Sequence, residues 1–219
     1  GAEECLVRMR AARLQPNKRT YASLADAHAK SGSLEDTRAR LQQAAAEGMR
    51  SDAHMHAAMV NAFLRRDDLE GAARYLDEAT AGGLEPNAVI YTSIMDAWAK
   101  RGDTAQATAW FEKAIRNGIK PGIRTFNAVI NAFAKKGDKD SVLQWVAKAE
   151  AAGLAFDEAT YTAVINTHAK TANVGGAMQW LGKMRRGGLQ PNVFAYTAAL
   201  TACAKSRSDH FDTAWDLMQ

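Results

Sequence analysis

The chain has 219 residues, 47% of them apolar, and carries 28 basic against 24 acidic side chains for a net charge of +4. That is enough apolar content for a packed core, and a charge too mild to mark a polyanion partner by itself. Two cysteines far apart, Cys5 and Cys203, argue against a disulfide framework or a cysteine-rich metal centre, and no run of 18 apolar residues is present to span a membrane.

Residues 1–17 read as the second half of a repeat whose first half is missing. Ala2, Leu6 and Met9 have the apolar spacing of a helix, and Leu14-Gln15-Pro16-Asn17 matches Leu189-Gln190-Pro191-Asn192. Five units of 35 residues follow without insertion: 18–52, 53–87, 88–122, 123–157 and 158–192. A sixth, 193–219, is partial and carries a two-residue insertion around Ser206–His210, because Ala214-Trp215 falls late against Ala107 and Ala177. The chain opens in mid-repeat with no recognisable signal or transit segment, so its natural start is expected upstream. A fixed period of this size marks a stacked-repeat architecture, one elongated domain in which each unit packs on its neighbours.

The unit 88–122 shows the design. Tyr91, Ile94, Met95 and Trp98 lie at i, i+3, i+4 and i+7, one apolar stripe on a first helix. Ala107, Trp110, Phe111 and Ala114 form the stripe of a second. Gly102-Asp103 separates them, and the residue after the break (Ser33, Asp68, Asp103, Asp138, Asn173) suits an N-cap in every unit. Gly48, Gly83, Gly118, Gly153 and Gly188 close the second helices, where a left-handed residue is wanted. Proline follows three residues later in most units. The spacing predicts an all-α fold of helix hairpins.

An aromatic near the start of each first helix, the Gly-x-x-Pro ending and the Asn or Asp after that proline, all in a 35-residue period, resemble the P-type repeats of the pentatricopeptide repeat family. The likeness covers essentially the whole chain. It implies a right-handed α-solenoid that binds single-stranded RNA, one base per repeat, in mitochondria or chloroplasts.

The residues add their own argument. Val89, Thr92, Asp96 and Lys100 line one side of the first helix, away from Tyr91 and Trp98. The last place holds Lys30, Arg65, Lys100, Lys135, Lys170 and Lys205, a basic residue in every unit, as a row of phosphate contacts requires. The same lysines also suit a helix C-terminus on macrodipole grounds alone.

In the family, base choice rests on the residue after the aromatic and on the last residue of the repeat. Here the pairs are Ala22 with Asp52, Ala57 with Asn87, Thr92 with Gly122, Asn127 with Asp157, and Thr162 with Asn192, while Thr197 opens a sixth. Asn127 with Asp157 is similar to the family's uracil pair, and Thr162 with Asn192 to its adenine pair. The two predict U followed by A, read 5′ to 3′. The place that sandwiches the base holds Val89, Arg124 and Phe194, with Arg19, His54 and Ala159 departing from the aliphatic pattern, as Arg124 does. Ala22, Ala57 and Gly122 leave three pairs without a complete set of hydrogen-bonding groups.

No catalytic constellation is legible. His28 and His168 occupy the place of Phe63, Trp98 and Phe133, so packed core histidines are expected. His54 and His56 point to different sides of a helix, and His210 lies in the irregular last turn. No zinc-deaminase signature, P-loop or nucleophile elbow appears. Trp110, Trp145 and Trp180 recur as packing residues. The expectation is a non-enzymatic protein of organellar RNA metabolism, without metal or cofactor. The alternative is a scaffold subunit of a large organellar assembly, such as a ribosome.

Overall fold

The computed structural model describes residues 2–206, so the sixth unit's insertion and its last residues lie outside the described part. Twelve α-helices occur among the described residues: α1 (Ala2–Ala11), α2 (Lys18–Lys30), α3 (Leu34–Ala46), α4 (Ala53–Arg65), α5 (Leu69–Ala81), α6 (Ala88–Arg101), α7 (Thr104–Arg116), α8 (Ile123–Lys136), α9 (Lys139–Ala151), α10 (Glu158–Lys170), α11 (Val174–Arg186) and α12 (Val193–Lys205). Each full repeat is one hairpin, α2–α3 through α10–α11. The fold is all-α and of the stacked helix-hairpin, solenoid class. Residues 1–97 and 98–219 form two compact units, with the boundary inside α6.

In the first unit α2 packs on α3 and α4, and α4 on α5. Leu6, Tyr21, Leu24, Leu41, Met55 and Met59 fill the core. Ala25, Ala29, Ala58 and Ala62 make a second, small-residue seam, which lets two first helices approach closely. In the second unit α8 packs on α7, α9 and α10, and α10 on α11 and α12. Phe111 meets Phe126 and Trp145 edge to face at centroid distances of 4.9 and 4.8 Å. Trp110, Trp145 and Trp180 are buried. The ammoniums of Lys113, Lys148 and Lys183, one turn on, stand 4.2, 4.3 and 4.4 Å above their ring centroids. This lysine series, also spaced by 35, is absent from the sequence reading.

The punctuation follows local chemistry. Gly48, Gly83, Gly118, Gly153 and Gly188 all have φ between 70° and 92°, as a left-handed ending of each second helix requires. Ser33, Asp68, Asp103, Asp138 and Asn173 each accept the backbone N–H three residues on, at 2.8–3.3 Å. The inner turn also needs a left-handed residue. Gly32, Gly102 and Gly137 supply it, but Asp67 (φ 61°) and Ala172 (φ 52°) take it without a glycine.

Of the two expected core histidines only His168 is buried. Neither of its ring nitrogens has a partner, and the ring lies where a side chain on Gly176 would be. His28 keeps part of its ring in solvent, with Nδ1 3.7 Å from Asp36 Oδ2. The acidic first turn of α3 draws it to the surface.

Candidate nucleic-acid interface

The last residue of a repeat precedes the next first helix, and the structure gives it a role that the sequence reading missed. Asp52, Asn87, Asp157 and Asn192 each accept the backbone N–H of the third helical residue, from Met55, Ile90, Thr160 and Ala195, at 2.9–3.2 Å. Asn17 does the same for Thr20 at 3.0 Å. One oxygen of each candidate base-reading group is therefore bound to a helix N-terminus, which fixes the side chain and leaves its other polar atom to face elsewhere. Gly122 begins α8 without a side-chain cap.

In the first unit, Lys18, Arg19, Ala22, Asp52 and His54 line an open cavity of about 300 Å³. Ala22 is buried and forms an apolar wall. Lys18 Nζ lies 3.0 Å from Asp52 Oδ2. Burial raises the Asp52 pKa, but the Met55 N–H, Lys18 and His54 outweigh it and hold the carboxyl below its ordinary value. Ala57 is half-buried and Asn87 exposed. Thr92 is half-buried with its hydroxyl donating to Ala88 O at 2.7 Å, whereas Val89 is 63% exposed.

In the second unit, Asn131, Glu158, Ala159, Thr162, Asn192 and Phe194 line an open cavity of about 420 Å³. It brings together a sequence-predicted base-reading pair and its sandwiching residue. Phe194 offers a ring that is 73% exposed. Asn192 Nδ2 donates to Glu158 Oε2 at 3.2 Å, and Thr162 Oγ1 is buried with no partner. Lys18 and Glu158 share one register place, the first of the repeat, and both reach its last residue. Sequence reading missed that place because its residues have no common chemistry. Thr197 and Arg124 are exposed.

The pair Asn127–Asp157 differs from the expectation of two groups facing an empty groove. Asn127 is only 7% exposed, and its Nδ2 donates to Asp157 Oδ1 at 2.9 Å. Thr160 Oγ1 lies 2.7 Å from Asn127 Oδ1 and 2.9 Å from Asp157 Oδ1. Burial raises the Asp157 pKa, but the Thr160 N–H and the side chains of Asn127 and Thr160 more than offset this, and the carboxyl stays ionised below its ordinary range.

The basic row is exposed in every unit, but its ammoniums are not all free. Lys30 pairs with Asp26 at 2.9 Å. Lys170 Nζ donates to Ala134 O and Lys135 O at 2.8 and 2.6 Å, and Lys135 Nζ to Lys100 O. Each closes the carbonyl end of the preceding first helix. Burial lowers the Lys170 pKa, and Lys205 and Lys135 lower it further. Within the second unit these charges are thus close enough to interact.

A first helix that carries capped polar groups and a lysine at its end, repeated every 35 residues, defines a helical-repeat protein with an open polar face. The profile of the PPR repeat family matches residues 86–135 and 156–205, and that of the PPR repeat matches 124–154. Together they cover more than half of the chain, which belongs to the PPR repeat family. No curated protein matches it in sequence.

Among solved structures, the pentatricopeptide repeat protein PPR10 from maize is 20% identical over 99% of this chain and 35% of its own, with a TM-score of 0.73. PPR10 in complex with an 18-nt psaJ RNA element matches at 18% identity over 98% of this chain and 36% of its own, with a TM-score of 0.63. The PPR domain of Arabidopsis thaliana protein-only RNase P 1 in complex with tRNA is 15% identical over 83% of this chain and 95% of its own, at a TM-score of 0.66. These likenesses establish the fold, and this chain spans about a third of the length of PPR10.

Proposed function

We propose that the protein binds single-stranded RNA along its first helices, one base per repeat, and acts in organellar RNA metabolism by binding rather than by catalysis. The observation that carries this reading is the second unit's 420 Å³ cavity, where Thr162, Asn192 and Phe194 converge. It offers a stacking ring beside hydrogen-bonding groups, as recognition of an unpaired base requires. The basic row supports it, and so do the RNA and tRNA bound to the structural relatives. The residues proposed to read bases are the pairs from Ala22 with Asp52 to Thr162 with Asn192, together with Thr197. Val89, Arg124 and Phe194 would flank the bases, and Lys30, Arg65, Lys100, Lys135, Lys170 and Lys205 would meet phosphates. A mitochondrial or chloroplast setting follows from the family resemblance. The test is a fluorescence-anisotropy titration with short RNAs containing UA. Saturable binding that weakens with salt is expected, and no binding of any single-stranded RNA at low salt would remove the proposal.

A second reading, a scaffold subunit of a large organellar assembly, has one observation in its favour. Phe111, Ile115, Pro121, Phe126, Trp145 and Leu154 line an open, mainly apolar cavity of about 430 Å³ on the side of the second helices. Co-purification with a stoichiometric complex that survives ribonuclease treatment would favour it.

A further inference from the structure

Among the candidate base-reading pairs, Asn127–Asp157 is held by a third residue that the family's pairing scheme does not include. Thr160, the third residue of its repeat, is fully buried. Its backbone N–H is capped by Asp157 Oδ1 at 2.9 Å, as at any helix start, and its hydroxyl lies 2.7 Å from Asn127 Oδ1. Thr20, at the same place in the first full repeat, behaves differently. Its hydroxyl turns back to its own N-cap residue, accepting the Asn17 N–H at 3.3 Å and lying 3.2 Å from Asn17 Oδ1. Helix capping therefore accounts for the Thr20 hydroxyl, and it does not account for the Thr160 hydroxyl, which crosses to the preceding repeat.

We infer that Thr160 is a positioning residue that fixes which edge of the Asn127 amide meets the base. This deepens the RNA-binding reading and rests on it. An asparagine amide can present either its oxygen or its nitrogen. Here the Thr160 hydroxyl donates to Oδ1, while Asp157 Oδ1 accepts from Nδ2 at 2.9 Å, so the turned-over amide would lose both bonds. Burial of the network strengthens this lock, since water cannot replace either partner. Two groups then remain: the second hydrogen of Asn127 Nδ2, and Asp157 Oδ2, which has no side-chain partner among the described residues. A donor beside an ionised acceptor matches a carbonyl oxygen beside a ring N–H, the pattern of uracil. Cytosine would set its unprotonated ring nitrogen against the carboxylate. Thr160 thus makes the pair selective for uracil over cytosine.

The test compares Thr160→Val with the wild-type chain on two short single-stranded RNAs that differ only in carrying UA or CA. Thr160→Ala, which also lacks the hydroxyl, is measured beside it in case the valine variant does not fold, and Thr160→Ser serves as the rescue. The expected result is a U-over-C preference that falls about three- to tenfold in the variants without a hydroxyl, the factor of one lost neutral hydrogen bond, and returns in Thr160→Ser. A loss of packing alone would weaken both RNAs equally. An unchanged preference in Thr160→Val or Thr160→Ala overturns the inference while RNA binding stands, as does a wild-type chain that binds both RNAs alike. A wild-type chain that binds neither RNA overturns the RNA-binding reading, and this inference with it.

Discussion

His168 and Gly176 show how one side chain sets the limits of another. A Cβ built on Gly176 would lie 2.2 Å from His168 Nδ1, inside a buried ring that has no room to withdraw. Gly176→Ala should destabilise the protein by about 1–3 kcal/mol through overpacking. Gly175→Ala, whose added carbon would meet nothing nearer than 3.9 Å, should be neutral or slightly stabilising because alanine favours helix. Urea unfolding of the two variants checks the contrast. The same burial lowers the His168 pKa, with Lys139 lowering it further. His56 is lowered by burial too, against a smaller opposing effect of Asp52, and its Nδ1 lies 2.8 Å from the Tyr75 hydroxyl. The unfolded chain therefore takes up these protons first. Stability conferred by the two neutral rings is present above about pH 6.5 and is lost as pH falls through their lower folded values. Denaturation midpoints measured between neutral and mildly acidic pH should fall on acidification, and the slope should be shallower in His168→Phe.

At the scale of the helix and its turns, the strained places are those where one unit departs from its siblings. Ala172 and Asp67 adopt the left-handed conformation that glycine provides in three other inner turns. Ala172→Gly should raise stability by about 1 kcal/mol, read as a higher melting temperature. Asp103→Ala removes the cap that accepts Gln106 N–H at 3.0 Å and should cost about 1 kcal/mol. Caps, left-handed glycines and apolar stripes were legible in the sequence because each is set within a few residues along the chain. The reach of a long or polar side chain into the next repeat was not. A period of 35 says that Lys135 and Lys170 share a register, but not that the Lys170 ammonium bonds Ala134 O and Lys135 O. Nor does spacing reveal that Asn127 is tied to Thr160, or that Lys18 and Glu158 reach Asp52 and Asn192. Those contacts depend on how adjacent hairpins pack, so the candidate site was legible as a set of positions and not as a set of free groups.

For the molecule as a whole, the lysine row gives the RNA-binding proposal a quantitative form. Each lysine that neutralises a phosphate releases counterions, contributing about −0.7 to the slope of log affinity against log salt for a single strand. Replacing Lys205 with alanine should make that slope shallower by about this amount, as titrations at several salt concentrations would reveal. Lys170→Ala should in addition lower the melting temperature, because its ammonium closes the end of α8.

The division of the chain at Trp98 has an experimental consequence. Trp98, Trp110, Trp145 and Trp180 all belong to the second unit, whereas residues 1–97 contain tyrosine but no tryptophan. Indole emission is therefore an intrinsic optical reporter of one half of the protein, and far-ultraviolet dichroism averages over both. Where the two signals trace separate denaturation curves, the halves melt independently. Where they superimpose, the repeats transmit order from one half to the other.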